Sequence, residues 1–349
     1  MKRTNVLLFC IMLFSIISCK QKNELKKEVK VTSIDIQNKT IPRIEILNPD
    51  LENAINSNEE IEVLTKETFG WSEGPVWVES HKMLLFTDVP NNIIYKYTDA
   101  NGLEKYLEPS GNTGIEKGAK EGANGLLLSP EGKLVLCQHG DRRVSIMNAP
   151  FESPEAKFKV LASLFNEKKF NSPNDATYHK NGELFFTDPP YGLTDGLDDS
   201  PRKEIEFNGV YKIDTKGKVI LLDKDLTKPN GIAFSPDYSK LYVANSDPKK
   251  AFWKVYDVDS SGNISNGKVF ADVTNLVSNK HPGLPDGLRV DNNGYLFATG
   301  PGGVLIFNPQ GIHLGTLNTG KATANCTFND DKSVLYITAH NQLMRLKIK

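Results

Sequence analysis

Six stretches of this chain are variants of one another, and that internal repetition restricts the possible folds more than any other feature. They begin at Glu73 (EGPVWVESHKMLLFTDVPNNIIYKY), Asn124 (NGLLLSPEGKLVLCQHGDRRVSIM), Asn174 (NDATYHKNGELFFTDPPYG, then GVYKID), Asn230 (NGIAFSPDYSKLYVANSDPKKAFWKVYDV), Asp286 (DGLRVDNNGYLFATGPGGVLIF) and Asn325 (NCTFNDDKSVLYITAHNQLMRLKI). Each opens on an acid or amide, alternates through a short strand, turns on Gly, Asp or Asn, and continues in a second apolar strand and a third. Start-to-start spacings of 51, 50, 56, 56 and 39 residues suit three- or four-stranded propeller blades. No 3.6-residue period extends beyond a turn or two, so α/β layouts are excluded. The last repeat has room for only three strands before Lys349, and IEVLTKETF (61–69) alternates like a strand ahead of the first. The expectation is an all-β, six-bladed β-propeller over 61–349, its last blade closed by the N-terminal strand.

Lys2 and Arg3 precede an apolar run from Val6 to Ile17, too short for a comfortable membrane span, which ends at Ser18-Cys19. This pattern resembles a bacterial lipoprotein signal over 1–18, with Cys19 as the lipidated N-terminus; an ordinary cleaved secretory leader is the alternative. Either way the body is expected to be exported to the cell envelope and to meet a membrane only through its anchor. Residues 19–60, polar and without period, are expected to be a flexible tether. Setting aside the seven bases and two acids of the first 30 residues leaves 35 bases against 41 acids, so no nucleic-acid footprint exists. Cys137 and Cys326, far apart and without a CxxC partner, are either buried thiols or one disulfide.

The innermost strand of each blade lines a propeller's channel, so Glu73, Asn124, Asn174, Asn230, Asp286 and Asn325 are expected at its mouth. Two carboxylates and four amides on one axis suit a hard divalent cation, whereas the six histidines show no zinc-ligand spacing. Asn-Gly and Asp-Gly are also ordinary turn formers. Glu73 favours the metal reading, because Glu is a poor turn residue and a carboxylate facing another carboxylate in a narrow channel is costly without a cation.

SEGPVW (72–77), CQHGDRRV (137–144), FNSPNDATYHKNGELFFTDPPYG (170–192), KPNGIAFSPD (228–237) and LPDGLRVDNNGYLFAT (284–299) together resemble the senescence-marker-protein/gluconolactonase family of six-bladed, metal-dependent lactonases, in its bacterial gluconolactonase-like branch. The resemblance covers about residues 60–345. It implies one divalent cation, Ca²⁺ ahead of Mg²⁺, Mn²⁺ or Zn²⁺, held by Glu73, Asn174, Asn230 and Asp286. It implies a small lactone substrate met by His139, Arg142 and Tyr191, alongside the channel-mouth amides Asn124 and Asn325. Asp286 is expected to act as base or nucleophile, with Asp175, next to a ligand, as second candidate base. Ser172 stands where the animal sugar-lactone branch carries Arg. A monomer is expected. The rival readings are a metal-dependent phosphotriesterase and a non-catalytic surface propeller binding a glycan or protein. The stretch 191–209 is expected to be either a lid or a solvated insertion.

Overall fold

The computed structural model describes residues 43–348. The leader over 1–18, Cys19 and the first part of the tether lie outside them. Six antiparallel sheets follow one another around a channel. Their innermost strands are Ser72–Val78, Ala123–Leu128, Ala176–Tyr178, Pro229–Phe234, Leu288–Val290 and Thr323–Phe328, in blades 1 to 6. Glu62–Val63 pairs antiparallel with Gln342–Lys347 and supplies the outer strand of blade 6, as the repeat count required. Ser72 completes the ring: its amide donates to the His340 carbonyl at 2.7 Å and its hydroxyl to the same oxygen at 3.0 Å.

Residues 43–60 correct the expected tether. Arg43–Ile46 adds a fifth strand to blade 5 by pairing with His313–Asn318. A 3-10 turn follows over Pro49–Asn53, its start capped where the Asp50 amide donates to Asn48 Oδ1 at 2.9 Å. Leu51 and Ile55 are fully buried in the apolar cluster containing Phe297, Leu317, Leu335 and Leu346, between blades 5 and 6. Burying two such side chains contributes about 2 kcal/mol each. Their spacing shows no period because the segment covers the seam between two sheets rather than lying in one.

A recurrent Thr-Asp pair explains how neighbouring blades lock. At the end of the second strand, Thr87 and Thr187 donate forward to the carbonyls that open the next blade, to Asn124 at 2.9 Å and Asn230 at 2.6 Å. Thr299 does the same to Ala324 at 2.9 Å. The following acid reaches back to its own blade: Asp88 accepts from the amides of Gly70 and Trp71, and Asp188 from those of Asn171 and Ser172. Buried donors and acceptors are thereby paired, and the mouths of the inner strands of blades 2, 4 and 6 are fixed.

Backbone spacing around the ring requires glycine. A Cβ on Gly74 would stand 2.1 Å from the Asn124 carbonyl oxygen, and one on Gly231 would stand 2.2 Å from that of Asp286. The inner strands of blades 1, 2 and 4 bulge here, with register shifts at Glu73/Val76, Ala123/Leu126 and Pro229/Ile232. A bulge re-aims the side chain that precedes it.

The 191–209 stretch is tied down on both sides of an exposed segment, 194–199. Leu193 and Ile205 are buried, Arg202 pairs with Asp195 at 2.9 Å, and Asp198 pairs with Lys228. Cys137 and Cys326 are both free and buried, Cys137 in the cluster between blades 2 and 3 and Cys326 in that between blades 5 and 6.

Candidate active site

Inner strands run away from the face on which they begin, so second strands end there, and the links between blades arrive there too. That face carries a cavity of about 890 Å³. Its floor is formed by Glu73, Asn124, Asn174, Asn230 and Asp286, the opening residues of five successive blades. The sixth, Asn325, does not line it. Asn325 lies beneath, its Nδ2 donating to Glu73 Oε2 at 3.3 Å while its Oδ1 accepts from the Cys326 amide at 2.9 Å. It therefore positions Glu73 rather than a ligand.

Two carboxyl groups dominate the floor. Burial pushes Glu73 up to about 7, against hydrogen bonds from Gly74, Asn325 and Trp71 and with added repulsion from Asp175. Asp286 is held well above the usual carboxylate range by burial first, then by the charges of Glu73 and Asp175; hydrogen bonds from the Asn230 side chain and the Gly287 amide oppose the shift. Its Oδ1 is buried and meets no donor, and Asn124 Oδ1 is likewise buried without a partner. Among the described residues no three His, Cys, Asp or Glu side chains converge. The donor set is two carboxylates flanked by amide oxygens. Such oxygens suit Ca²⁺ or Mg²⁺ and lack the imidazole or thiolate that zinc favours, so the residues fit a hard divalent cation.

Around this floor, His139 presents an unpartnered, buried Nε2 to the cavity, and burial lowers its imidazole to about 3, so it is neutral. Tyr191 reaches the wall, its hydroxyl donating to the Ser246 carbonyl at 2.8 Å. Burial raises its phenol above the ordinary range, so it stays protonated.

Arg142 and Asp175 do not belong to the cavity. Arg142 has positive φ (54°) and spends its guanidinium on the protein: Nε donates to the Phe170 carbonyl at 2.6 Å, Nη2 to that of Lys169 at 3.4 Å, and Nη1 meets Glu204 at 3.4 Å. The expected substrate contact is corrected to a brace between blade 2 and the loops leading into blade 3. Asp175 points away from the mouth because successive residues of an extended strand face opposite sides. It sits inside the channel, with Arg289 Nη1 at 3.7 Å from Oδ2 and the Ala176 amide on Oδ1 at 2.9 Å. Sequence reasoning missed Trp71, Glu121 and the strap Val277–Leu284, all of which line the cavity except Lys280 of the strap. The available signal for the strap was the unusual length of the link between blades 4 and 5, which ends in Pro282 and Pro285.

Comparisons with known proteins agree with the propeller fold. The family described as "SMP-30/Gluconolactonase/LRE-like region" matches residues 71–341. A gluconolactonase of Zymomonas mobilis is 38% identical over 316 residues, 89% of this chain and 87% of that protein. A pentonolactonase of Haloferax volcanii is 25% identical over 274 residues, 76% of this chain and 80% of its own. The solved gluconolactonase of Xanthomonas campestris superposes with a TM-score of 0.74 at 26% identity, covering 88% of this chain and 97% of that one. A six-bladed propeller with carboxylates and amides at one channel mouth, matched over most of its length by that pattern, places the chain in the SMP-30/gluconolactonase/LRE-like family.

Proposed function

We propose that this lactone hydrolase opens its substrate on the cavity floor with a divalent cation, Ca²⁺ first, held by Glu73, Asn174, Asn230 and Asp286. Lactone hydrolysis itself rests on relatives named for that reaction that match most of the chain. The observation carrying the metal reading is the pair of buried carboxyl groups, Glu73 and Asp286, each raised and each within reach of further negative charge. Such an arrangement is costly in a folded protein unless a cation compensates it. A cation there polarises a carbonyl oxygen and stabilises the negative charge that develops on it.

The chain's own groups supply the rest. Asp286 Oδ1, free of hydrogen bonds from the protein, accepts a proton from the attacking water. The water oxygen bonds to the carbonyl carbon, the ring carbon–oxygen bond breaks, and the proton returns from Asp286 to the departing ring oxygen. Asn230, which donates to Asp286, orients that carboxylate. Neutral His139 offers Nε2 to a substrate hydroxyl, and Asn124 offers Oδ1. Supporting export and lipid anchoring is the leader ending at Cys19; Cys19→Ser should abolish incorporation of labelled fatty acid, and unchanged labelling refutes it.

The test is turnover of glucono-1,5-lactone, an aliphatic γ-lactone and a phosphotriester, with EDTA and with Ca²⁺ restored. Lactone turnover lost with EDTA and regained with Ca²⁺ supports the proposal. Lactone turnover indifferent to EDTA removes the metal from it, and turnover of the phosphotriester alone replaces it.

A further inference from the structure

The charge around the cavity is one-sided. Three ionisable carboxyl groups line it, Glu73, Asp286 and Glu121, and among the described residues no Lys or Arg does. Glu73 and Asp286 belong to the floor, where the proposed cation would compensate them. Glu121 is separate: it stands half-buried in the wall, ahead of the inner strand of blade 2, and no ion pair is formed by it among the described residues. Burial raises its carboxyl and the charge of Asp88 adds to the shift, while its chain neighbour Lys120, exposed and outside the cavity lining, opposes it.

The backbone on either side of Glu121 is held in place. The Gly122 amide donates to the Val89 carbonyl at 2.7 Å, and the Gly122 carbonyl accepts from the His139 amide at 3.1 Å. Any side chain at Gly140 would meet the Glu121 carbonyl at 2.3 Å. Among the described residues the rest of the upper wall carries no Lys or Arg: Val89, Pro90, Pro248, Val277, Pro282 and Leu284 alternate with the neutral polar Ser278 and Asn279, and His281 is its one imidazole. A half-buried carboxylate on the wall of a cleft that excludes much of the solvent directs part of its field into that cleft.

We infer that Glu121 makes the cavity selective for uncharged lactones, rejecting those that carry a phosphate or carboxylate, and that it hastens release of the acid product. This rests on the lactonase reading above. The chemistry of the reaction gives the charge its use: the lactone enters neutral and leaves as a hydroxy acid, an anion at neutral pH. One negative group in the wall therefore leaves substrate binding largely untouched and weakens product binding. The substrate must accordingly come from a reaction that oxidises an unphosphorylated sugar or hydroxy-aldehyde.

The experiment compares kcat/KM for D-glucono-1,5-lactone and its 6-phosphate, and competitive inhibition by D-gluconate, in the Ca²⁺-loaded full chain and in Glu121→Gln. The assay runs at low salt near about pH 7.5, where ordinary imidazoles are neutral. The wild type should disfavour the phosphorylated lactone at least about tenfold, and Glu121→Gln should narrow that gap and tighten gluconate inhibition about fivefold. Should the variant misfold, the wild-type salt response decides: about 0.5 M salt should raise use of the phosphorylated lactone and leave the neutral one unchanged. Equal use of both lactones by the wild type, or a ratio indifferent to both salt and Glu121→Gln, overturns the inference while the lactonase reading stands. No turnover of either lactone overturns both.

Discussion

Replacing Glu73 by Gln should stabilise the metal-free protein and remove most of what a cation adds to it. The Glu73 carboxyl is buried and raised from 4.5 to about 7. In the folded state it therefore binds its proton more tightly than in the unfolded chain. The stability it contributes is fully present below about pH 4.5 and is lost as pH rises through about 7. A shift of that size corresponds to about 3 kcal/mol at pH 8, since each pKa unit is about 1.4 kcal/mol. Gln keeps the oxygen that accepts from Gly74 and Asn325 but carries no charge to desolvate. For a domain of this size about 3 kcal/mol is about 5 °C in Tm. Thermal unfolding in EDTA, scanned from about pH 4.5 to 8, should show wild type and Glu73→Gln alike at the acid end and the variant about 5 °C higher at the alkaline end. Asp188, another buried carboxyl pushed up to about 7, titrates in both proteins, so the difference between the two curves isolates Glu73 and the groups it repels. Added Ca²⁺ should raise the wild type well above its EDTA value and the variant little. Parallel curves, or a variant less stable at pH 8 in EDTA, would refute the view that Glu73 is a desolvated charge awaiting a cation.

Gly231→Ala places a Cβ 2.2 Å from the Asp286 carbonyl oxygen, a backbone atom that cannot swing aside. Urea unfolding should show a loss on the order of 3 kcal/mol or more, with weakened Ca²⁺ binding, and a loss under about 1 kcal/mol would contradict the close ring packing. Arg142→Met should destabilise by about 2 kcal/mol through the buried carbonyls it strands, yet leave KM for the lactone unchanged; a raised KM would return Arg142 to the substrate. His139 stays neutral down to about pH 3 in the folded protein, so its contribution to stability is full above the ordinary imidazole range and is lost steadily as pH falls from that range to about 3. His139→Gln should flatten that decline and lower kcat/KM without moving any limb of the rate profile above about pH 5; a displaced limb would mean a titrating imidazole.

The blades were legible because each repeat writes its strands as period-two alternation, and the closing strand was legible because the last repeat runs out of chain before a fourth strand. The seam-covering segment at Leu51 and Ile55 was not, since two apolar residues bridging two sheets have no period to detect. The Thr-Asp locks were present in the letters FTD at 86–88 and 186–188, yet one sequence does not say that the two side chains reach in opposite directions.

Alignment of repeats identifies a slot but not how far down the channel its side chain sits, and the site was misread where that depth varies. Glu73, Asn124, Asn230 and Asp286 are each followed by glycine, which lets the neighbouring blade approach and leaves the preceding side chain facing the cavity. Asn325 is followed by Cys326, and in blade 6 the register shift falls before it, at Thr323/Asn325, instead of after. The strand is thereby advanced, Thr323 takes the place at the cavity and Asn325 drops beneath Glu73. The missing glycine was a usable signal for that correction. It would have failed at Asn174, which lines the cavity with Asp175 behind it. There the Asn174 amide donates to the Thr187 carbonyl at 2.9 Å, and the Thr187 amide donates to the Asp175 carbonyl at 3.0 Å, so the second strand holds the pair in register. Asp175 then turns into the channel toward Arg289, and its charge raises both Glu73 and Asp286 from below. A residue expected to compete with Asp286 for the proton instead adds, from below, to the negative charge that a cation on the floor would compensate.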